Sequence, residues 1–392
     1  MATVLRASWV VPATLPPIAD GCVVVEGGRI VSVGRFGSAP REPVEDLGDG
    51  VLLPALVNAH THLELSHLGH LRTLGEQGFV TWIEAVVAAR GTPPEEIRAR
   101  ASGAIAGLLA SGTAAVGDTS NTLAHLDLLD ACGLEASVFL EVLGWDPAQA
   151  DEILGWADRR LTESKGHQTR VRLAAHGPHS VSPRLFEGLR ARGGPASVHL
   201  AESVAETRFL ASGDGEWPGF LARRGLAGIG FEPPARSPVQ YLDSLGVLAP
   251  GLLAVHCVQT TADDWDLLAR RGVRVVLCPR SNRNLGLGLP PVTGLLAAGA
   301  RLCLGTDSLG SAESLNVLDD AALLHRAFPD LDPALLVGMA TAAGAEALGR
   351  SDLGTLEPGK RAVLAFAAAA PGLRDPLGFL LSGEAMTVGV RP

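Results

Sequence analysis

Cysteine is scarce in this sequence, and no pair of cysteines indicates a disulfide or a metal site. The five cysteines are odd in number, are scattered along the chain and form no CxxC motif. They are Cys22, Cys132, Cys257, Cys278 and Cys303. This distribution excludes a disulfide framework and a cysteine-based zinc site. We therefore expect a reducing, cytoplasmic environment.

Excess positive charge and long apolar runs are lacking as well. The 392 residues carry a formal net charge of -10, and the pI is about 5.6. Without a basic surface, the sequence predicts no nucleic-acid partner and no binding to an anionic membrane. No apolar run is long and clean enough to span a membrane. Pro12, Pro16 and Pro17 interrupt the apolar start of the chain, which does not fit a signal peptide.

A glycine-rich phosphate loop is missing too, and this absence bears on the fold. Gly286 and Gly288 form a lone GxG without the rest of the dinucleotide-binding fingerprint. An open, doubly wound sheet would be expected to carry such a loop after a strand. The sequence instead alternates between apolar, strand-length segments and helix-length segments. The strand candidates are residues 55–59, 113–118, 135–140, 170–175, 196–200, 252–256, 273–278 and 301–305.

These repeats predict an α/β fold of the (β/α)8 type, a TIM-like barrel, over residues 54–351. Residues 1–53 and 352–392 contain short strands and turns, and we expect them to form one small β-sandwich domain from both ends of the chain. Within the barrel, residues 203–244 separate two strands and are rich in glycine and proline. A lid over the site is the favoured interpretation, and a partly disordered surface loop is the alternative.

Two histidines mark the end of the first predicted barrel strand. His60 and His62 are two residues apart, so their side chains point to the same face of a strand. Neutral imidazole is a common ligand of zinc and related metals. A lone HxH is explained equally well by a polar loop, but here later strands end in residues of matching chemistry. These are His176 and His179 after the fourth strand, His199 after the fifth, His256 after the sixth and Asp307 after the eighth. Because active sites of such barrels lie at the carboxyl ends of the strands, the sequence predicts one common site.

The motifs around these residues resemble the metal-dependent amidohydrolase superfamily, in particular its deaminase and chlorohydrolase branch. The motifs are VNAHTHLE (57–64), GPHS (177–180), HLAE (199–202), VHC (255–257), CPRSN (278–282) and LGTDS (304–308). They follow the order of the predicted strands. The segment GTLEPGK (354–360) also resembles the small β domain of this superfamily.

The resemblance implies one divalent metal ion, zinc or iron. Binuclear relatives carry a bridging lysine at the end of the fourth strand, where this chain has histidines. The implied ligands are His60, His62, His199 and Asp307, with a water completing the site. Three neutral histidines and one carboxylate leave an open position, and a metal held in this way lowers the pKa of its water to about 7.

The resemblance also implies the roles of the residues beside the metal. Asp307 accepts the proton of the water, Glu202 passes protons to a ring nitrogen and to the leaving group, and His256 orients the attacking hydroxide. The alternative for Glu202 is a carboxylate that stabilises a helix start. The implied reaction is hydrolytic deamination of a purine-like ring, so the partner is a small-molecule substrate. Dimers are common in the superfamily, and a homodimer is one option.

Within the branch, the sequence most resembles the aminodeoxyfutalosine deaminases of menaquinone biosynthesis. The resembling segments are CPRSN, YLDSLGVL (241–248) and GTDSLGSAESLN (305–316). Their substrate is an adenine nucleoside that bears a benzoate, and Arg280 would bind its carboxylate through two hydrogen bonds. A surface arginine is the alternative. The further expected substrate contacts are His179, Asn282 and Trp82.

Other activities of the same branch stay open. They are deamination of S-adenosylhomocysteine, methylthioadenosine, guanine or a pterin, and dechlorination of an s-triazine. The first two are weakened because residues 79–82 (FVTW) lack the ribose-binding glutamate of those relatives. A non-catalytic binding barrel is an alternative of a different class, which loss of the metal ligands or of Glu202 would indicate. All of these residues are present.

Overall fold

The computed structural model of the protein describes residues 2–38, 42–227 and 232–390, without the side chains of Ser38 and Glu76. The strands in this part of the chain are β1 (Thr3–Val10), β2 (Ile18–Glu26), β3 (Arg29–Arg35), β4 (Val44–Asp46), β5 (Gly50–Pro54), β6 (Leu56–Thr61), β7 (Thr113–Ser120), β8 (Glu135–Val142), β9 (Arg170–Ala175), β10 (Ser197–Leu200), β11 (Leu253–His256), β12 (Arg274–Leu277), β13 (Arg301–Leu304), β14 (Leu364–Ala368) and β15 (Thr387–Val390).

Strands β6 to β13 form an eight-stranded sheet in the order of the sequence, with parallel pairing throughout. The first and last strands meet where the backbone N–H groups of Thr306 and Asp307 donate to the carbonyl oxygen of His60, at 3.0 and 3.1 Å. The predicted (β/α)8 barrel is confirmed. Because the strands run in one direction, their carboxyl ends open at a single face.

Helices follow the barrel strands, as the alternating pattern predicts. A long 3-10 segment, Leu63–Gln77, comes directly after the first barrel strand. The α-helices in the described residues are α1 (Phe79–Ala88), α2 (Pro94–Ala110), α3 (Leu126–Cys132), α4 (Ala150–Ser164), α5 (Pro183–Ala191), α6 (Val204–Ser212), α7 (Glu216–Arg223), α8 (Pro238–Ser244), α9 (Ala262–Arg270), α10 (Pro279–Asn284), α11 (Val292–Ala297), α12 (Val317–Ala327), α13 (Pro333–Met339), α14 (Ala342–Ala347) and α15 (Pro376–Leu380).

Capping residues set several helix starts. The side chains of Ser182, Ser203 and Ser237 each accept a hydrogen bond from a backbone N–H three residues further on, at the starts of α5, α6 and α8. A hydroxyl at this position satisfies a backbone donor that has no partner inside the helix. Proline in the first turn of α5 and α8 adds to the signal, because its fixed φ suits that turn.

The two ends of the chain share a separate sheet of seven strands. Its order is β15-β14-β5-β1-β2-β3, and β4 pairs with β1. Strand β5 leads directly into the first barrel strand, so this sheet is attached to the barrel at that junction. A small apolar core of its own includes Leu5, Val23, Ile30 and Leu52. Both termini thus contribute to one β unit, as the sequence predicts.

The inserted segment between β10 and β11 folds as α6, α7 and α8. Phe209, Trp217 and Leu221 of this segment belong to one apolar cluster with Phe79 and Trp82 of α1. The segment is therefore packed against the helix that follows the first barrel strand, and its movement as a lid stays a prediction. Among the described residues, no helix combines the length and apolar character that a membrane crossing requires.

Candidate active site

A cavity of about 890 Å³ lies at the carboxyl ends of the barrel strands and contains most of the predicted site residues. Its size is typical of a small-molecule site. The predicted residues on its wall are His62, Trp82, His179, His199, Glu202, His256 and Asp307. Of the other predicted site residues, His60 lies beneath this wall, while Arg280 and Asn282 are directed elsewhere.

Five imidazole rings lie close together at the bottom of the cavity. The ring centroids of His60 and His62 are 4.9 Å apart, and those of His60 and His199 are 5.1 Å apart. The Nε2 atoms of His62 and His199 approach to 3.2 Å. The ring centroids of His256 and His176 lie 5.4 and 5.2 Å from that of His199, so both rings belong to the same group. The strands therefore bring together the histidines that the HxH and the later strand ends predict.

The chemistry of His60 fits a metal ligand. Its side chain is buried, and neither of its ring nitrogens has a hydrogen-bond partner among the described residues. Burial lowers the pKa of His60 well below the ordinary value, and the imidazoles of His62 and His199 lower it further. A buried, neutral imidazole without partners is costly unless a metal uses its lone pair. Nitrogen atoms of His60 and His62 and an oxygen of Asp307 all lie within 4.8 Å of one another.

The Asp307 carboxylate is oriented by two hydroxyl groups. Ser281 and Ser311 both donate to Oδ2, at 2.7 and 2.8 Å, while Oδ1 faces Nε2 of His62 at 3.6 Å and Nε2 of His60 at 3.8 Å. Burial alone would raise the pKa of Asp307, but the neighbouring histidines and the Ser281 hydroxyl bring it below the usual value. Oδ2 is thus held by the two hydroxyl groups, and Oδ1 faces the imidazole cluster, where a metal would bind. Asp307 also has a φ of 60°, in a region that non-glycine residues rarely adopt.

Glu202 and His256 form a pair beside this cluster. Oε1 of Glu202 lies 3.5 Å from Nε2 of His256. Burial raises the pKa of Glu202 to about 8, and the charges of Asp307 and Glu206 add to the rise while His199 opposes it. A carboxyl group with this pKa holds a proton at neutral pH and can act as a general acid. Burial also lowers the pKa of His256 to about 3, so its ring is neutral.

Asn282 and Glu206 hold these two groups in place. The amide Nδ2 of Asn282 donates to Nδ1 of His256 at 3.0 Å, which leaves the proton of the neutral ring on Nε2. Asn282 does not line the cavity, so its expected contact with the substrate is corrected to a contact with His256. Glu206 accepts hydrogen bonds from the backbone N–H groups of Ala201 and Glu202, at 3.0 and 2.9 Å. This pairing orients the backbone that carries Glu202.

Glu141 is a functional candidate that the motifs do not contain. It lies near the end of β8, is buried and lines the cavity, with Oε1 3.3 Å from Nδ1 of His199. Burial by itself would lower the pKa of His199, but Glu141 and the charges of Glu202 and Asp307 raise it to about 9. The same negative charge that favours a proton on His199 favours a metal cation there. The sequence does contain a signal for this residue, because Glu141 is a carboxylate directly after the strand candidate 135–140.

We expect Glu141→Gln to weaken metal binding without removing a ligand. Loss of a carboxylate beside a ligating histidine typically lowers metal affinity about 10- to 100-fold. The variant should therefore regain most of its activity when excess metal is supplied. Metal affinity can be measured by competition with a chromophoric chelator. Glu152→Gln, at an exposed position on the cavity wall, is the matched control and should keep the wild-type affinity.

The structure corrects the expectation for Arg280. Its side chain is buried, and Nε and Nη2 donate to Oδ2 of Asp320 at 3.0 and 2.8 Å. Nη1 donates to Asp319 at 3.2 Å and to the Ser314 hydroxyl at 2.9 Å. The guanidinium therefore has its partners inside the protein and does not line the cavity. It joins α10 to α12 and is not placed to bind a substrate carboxylate.

Arg280→Ala should reduce stability rather than substrate recognition. Removing one member of a buried ion pair leaves Asp320 unpaired, and the expected loss is about 3–5 kcal/mol in the free energy of unfolding. Urea unfolding can measure this loss. Arg283→Ala, an exposed neighbour in the same helix, should cost less than about 0.5 kcal/mol. A stable Arg280→Ala variant with a raised KM for a carboxylate-bearing nucleoside would restore the original assignment.

The remaining predicted contacts lie on the cavity wall. His179 stacks on Trp217 with a centroid distance of 4.5 Å, and its Nδ1 lies 3.9 Å from Glu206. The indole N–H of Trp82 donates to the carbonyl oxygen of Gly310 at 3.0 Å, so its ring position is fixed. The side chains of His179 and Trp82 are therefore placed to contact a substrate beside the cluster of histidines and Asp307.

Comparisons with known proteins agree with this geometry. A sequence model of the amidohydrolase family matches residues 51–388. The aminodeoxyfutalosine deaminase of Deinococcus radiodurans is 34% identical over 346 residues, which cover 84% of this chain and 81% of that protein. The 5-methylthioadenosine/S-adenosylhomocysteine deaminase of Nitratidesulfovibrio vulgaris is 32% identical over 382 residues, covering 91% and 81%. The structure of Helicobacter pylori aminofutalosine deaminase in complex with methylthio-coformycin superposes with a TM-score of 0.83 at 25% identity, covering 98% of this chain and 97% of that one.

Proposed function

The chain belongs to the amidohydrolase family, and from that premise we propose that it is a metal-dependent hydrolytic deaminase of adenine nucleosides. The single observation that carries the proposal is the buried cluster of His60, His62, His199 and Asp307 beside the buried carboxyl group of Glu202. Such a cluster combines metal ligands with a general acid at the base of a cavity large enough for a nucleoside.

We assign the metal to His60, His62, His199 and Asp307. This donor set suits zinc, and it suits ferrous iron as well. When bound, the metal supplies Lewis-acid chemistry that makes a water molecule acidic enough to act as a nucleophile near neutral pH. Nδ1 of His199 donates to the carbonyl oxygen of His176 at 2.9 Å with the Glu141 carboxylate beside it, and the hydroxyls of Ser281 and Ser311 hold Asp307, so these ligands are oriented before any metal enters.

The residues around the metal ligands supply the proton transfers. Nε2–H of His256 donates to the attacking water oxygen, because Asn282 holds its other ring nitrogen as an acceptor. Asp307 takes the proton of that water through the oxygen that the serines leave free. Glu202 gives its proton to the ring nitrogen next to the amino-bearing carbon, which makes this carbon more electrophilic. As the ring carbonyl forms, the Glu202 carboxylate takes the proton of the newly added hydroxyl group and passes it to the departing amine, which leaves as ammonia. The proton held by Asp307 then restores the acid form of Glu202.

For the substrate, we propose 6-amino-6-deoxyfutalosine. The support is 34% identity to the Deinococcus radiodurans enzyme and the similarity of the whole chain to the Helicobacter pylori enzyme. Deamination of methylthioadenosine or S-adenosylhomocysteine is the second candidate, favoured by 32% identity over 91% of the chain. The two candidates share the reacting adenine and differ at the 5′ substituent of the nucleoside.

A substrate panel tests the proposal and separates the candidates. Metal-loaded protein would be assayed for ammonia release from aminodeoxyfutalosine, methylthioadenosine, S-adenosylhomocysteine, 5′-deoxyadenosine and guanine. We expect kcat/KM for aminodeoxyfutalosine to exceed the others by at least about tenfold, as one well-placed polar contact allows. A preference for methylthioadenosine would favour the second candidate. Activity on guanine alone would contradict an adenine nucleoside deaminase.

A further inference from the structure

Three arginines on the cavity wall have no anionic partner, in contrast to their neighbours in sequence. Arg90 follows α1, Arg159 belongs to α4 and Arg224 follows α7, and all three line the cavity. Within the described residues, none of the three forms a side-chain hydrogen bond or an ion pair, and all are exposed. They come from three separate elements, so the barrel and the inserted segment together place cationic groups around one opening.

The neighbouring arginines show that this difference is local. Arg160 pairs with Glu163 at 2.7 Å, one residue after Arg159. Arg223 pairs with Glu84 of α1, through its Nε at 2.7 Å, one residue before Arg224. The arginines that face outward are thus neutralised by carboxylates, and those that face the cavity are not. A free guanidinium at a pocket wall is suited to bind a carboxylate through two parallel hydrogen bonds.

The acidic residues on the outer part of the cavity wall do not neutralise the three arginines. Glu64 is occupied, because Ser120, Asn121 and Thr122 donate to it. Asp146 accepts from the N–H of Ala148, at a short 3-10 turn. Glu152 is exposed on α4 and pairs with none of the three arginines. The cationic side chains therefore stay available to a ligand.

We propose that Arg90, Arg159 and Arg224 form a distal anion site that selects adenine nucleosides carrying a carboxylate on the 5′ side. This inference rests on the proposed deaminase function and takes over the role that the sequence assigned to Arg280. The adenine reaches the metal ligands and Glu202 at the base of the cavity, so its substituent extends toward the opening. Aryl carboxylates and amino-acid carboxylates share the recognised chemistry, and the experiment separates them.

The test uses aminodeoxyfutalosine and its methyl ester, in which one added methyl group removes the negative charge. In the triple variant Arg90→Ala, Arg159→Ala, Arg224→Ala, we expect KM for the carboxylate to rise about 10- to 100-fold, with kcat almost unchanged. The methyl ester should change by less than about twofold, since it offers no anion. The wild-type KM for the carboxylate should also rise with ionic strength, because the arginines are exposed. S-Adenosylhomocysteine, assayed in parallel, shows whether the three arginines also recognise an amino-acid carboxylate.

The control variants are Arg184→Ala and Arg223→Ala, which remove exposed arginines whose carboxylate partners, Asp151 and Glu84, do not line the cavity. Both should keep the wild-type KM for each compound. An equal loss for carboxylate and ester, or an unchanged KM in the triple variant, would overturn the distal anion site while leaving the deaminase intact. If the wild-type protein releases ammonia from neither compound nor from S-adenosylhomocysteine or adenosine, the proposed function fails and this inference fails with it.

Discussion

Replacing Glu202 with glutamine is expected to lower kcat about 10³-fold, which is the scale of a lost general acid–base group. The side chain is buried at the base of the cavity, 3.5 Å from His256, and its pKa is raised to about 8. Glutamine has nearly the same shape and can donate a hydrogen bond, but it cannot give up a proton to the ring or to the leaving amine. The loss should therefore appear in kcat, with KM changed little.

Metal content and stability provide the controls for Glu202→Gln. Glutamine keeps the size of the side chain and does not replace a ligand, so the metal content and the melting temperature should match the wild type. Glu206→Gln offers a comparison, because Glu206 is buried, does not line the cavity and accepts hydrogen bonds from the backbone N–H groups of Ala201 and Glu202. It should reduce stability and have a much smaller effect on kcat. Wild-type turnover by Glu202→Gln would remove this residue from the mechanism.

Asp307→Asn should abolish both metal binding and turnover, with a loss of about 10³-fold or more in kcat/KM at limiting metal. One carboxylate oxygen accepts from Ser281 and Ser311, and the other faces His60 and His62. An amide cannot satisfy both sides. If its oxygen accepts from the serines, its NH₂ group faces the metal position and offers no lone pair.

Metal analysis by mass spectrometry and ammonia release measure the two consequences of Asp307→Asn. Asp118→Asn is the matched control, because Asp118 is also a fully buried carboxylate at a strand end. Its partners are the N–H of Leu63 at 2.8 Å and the His125 imidazole at 2.7 Å, outside the metal ligands. We expect this control to lose stability and to retain metal. Full metal occupancy in Asp307→Asn would contradict the assigned ligand set.

The barrel and the imidazole cluster were predictable because both depend on short-range patterns. Apolar segments of strand length mark the strands, and each predicted barrel strand matches an observed one within a few residues at either end. The topology of a parallel barrel then brings the ends of all strands to one face. His60, His62, His199 and Asp307 meet for this reason, and the family resemblance seen in their motifs was confirmed by the match over residues 51–388.

Arg280 shows where the pattern stops being informative. Because Arg280 comes two residues after the end of a predicted strand, the sequence predicted that its side chain points into the cavity. The position of a residue in the chain does not fix the direction of a long side chain. The partner that decides this direction is Asp320, forty residues later in α12 and buried against the guanidinium. Such a pairing depends on the packing of two helices, which neither spacing nor composition reports. The same holds for Glu141, whose role depends on His199 of β10, two strands away in the barrel.

The most direct test of the account is a zinc titration of metal-free protein with ammonia release from aminodeoxyfutalosine and adenosine as the readout. We expect no release without metal, a rise that reaches its plateau at one zinc per chain, and a Glu202→Gln variant that binds the zinc without releasing ammonia. Undiminished release from the metal-free protein would contradict the account, as would a fully loaded wild-type protein that deaminates no adenine nucleoside.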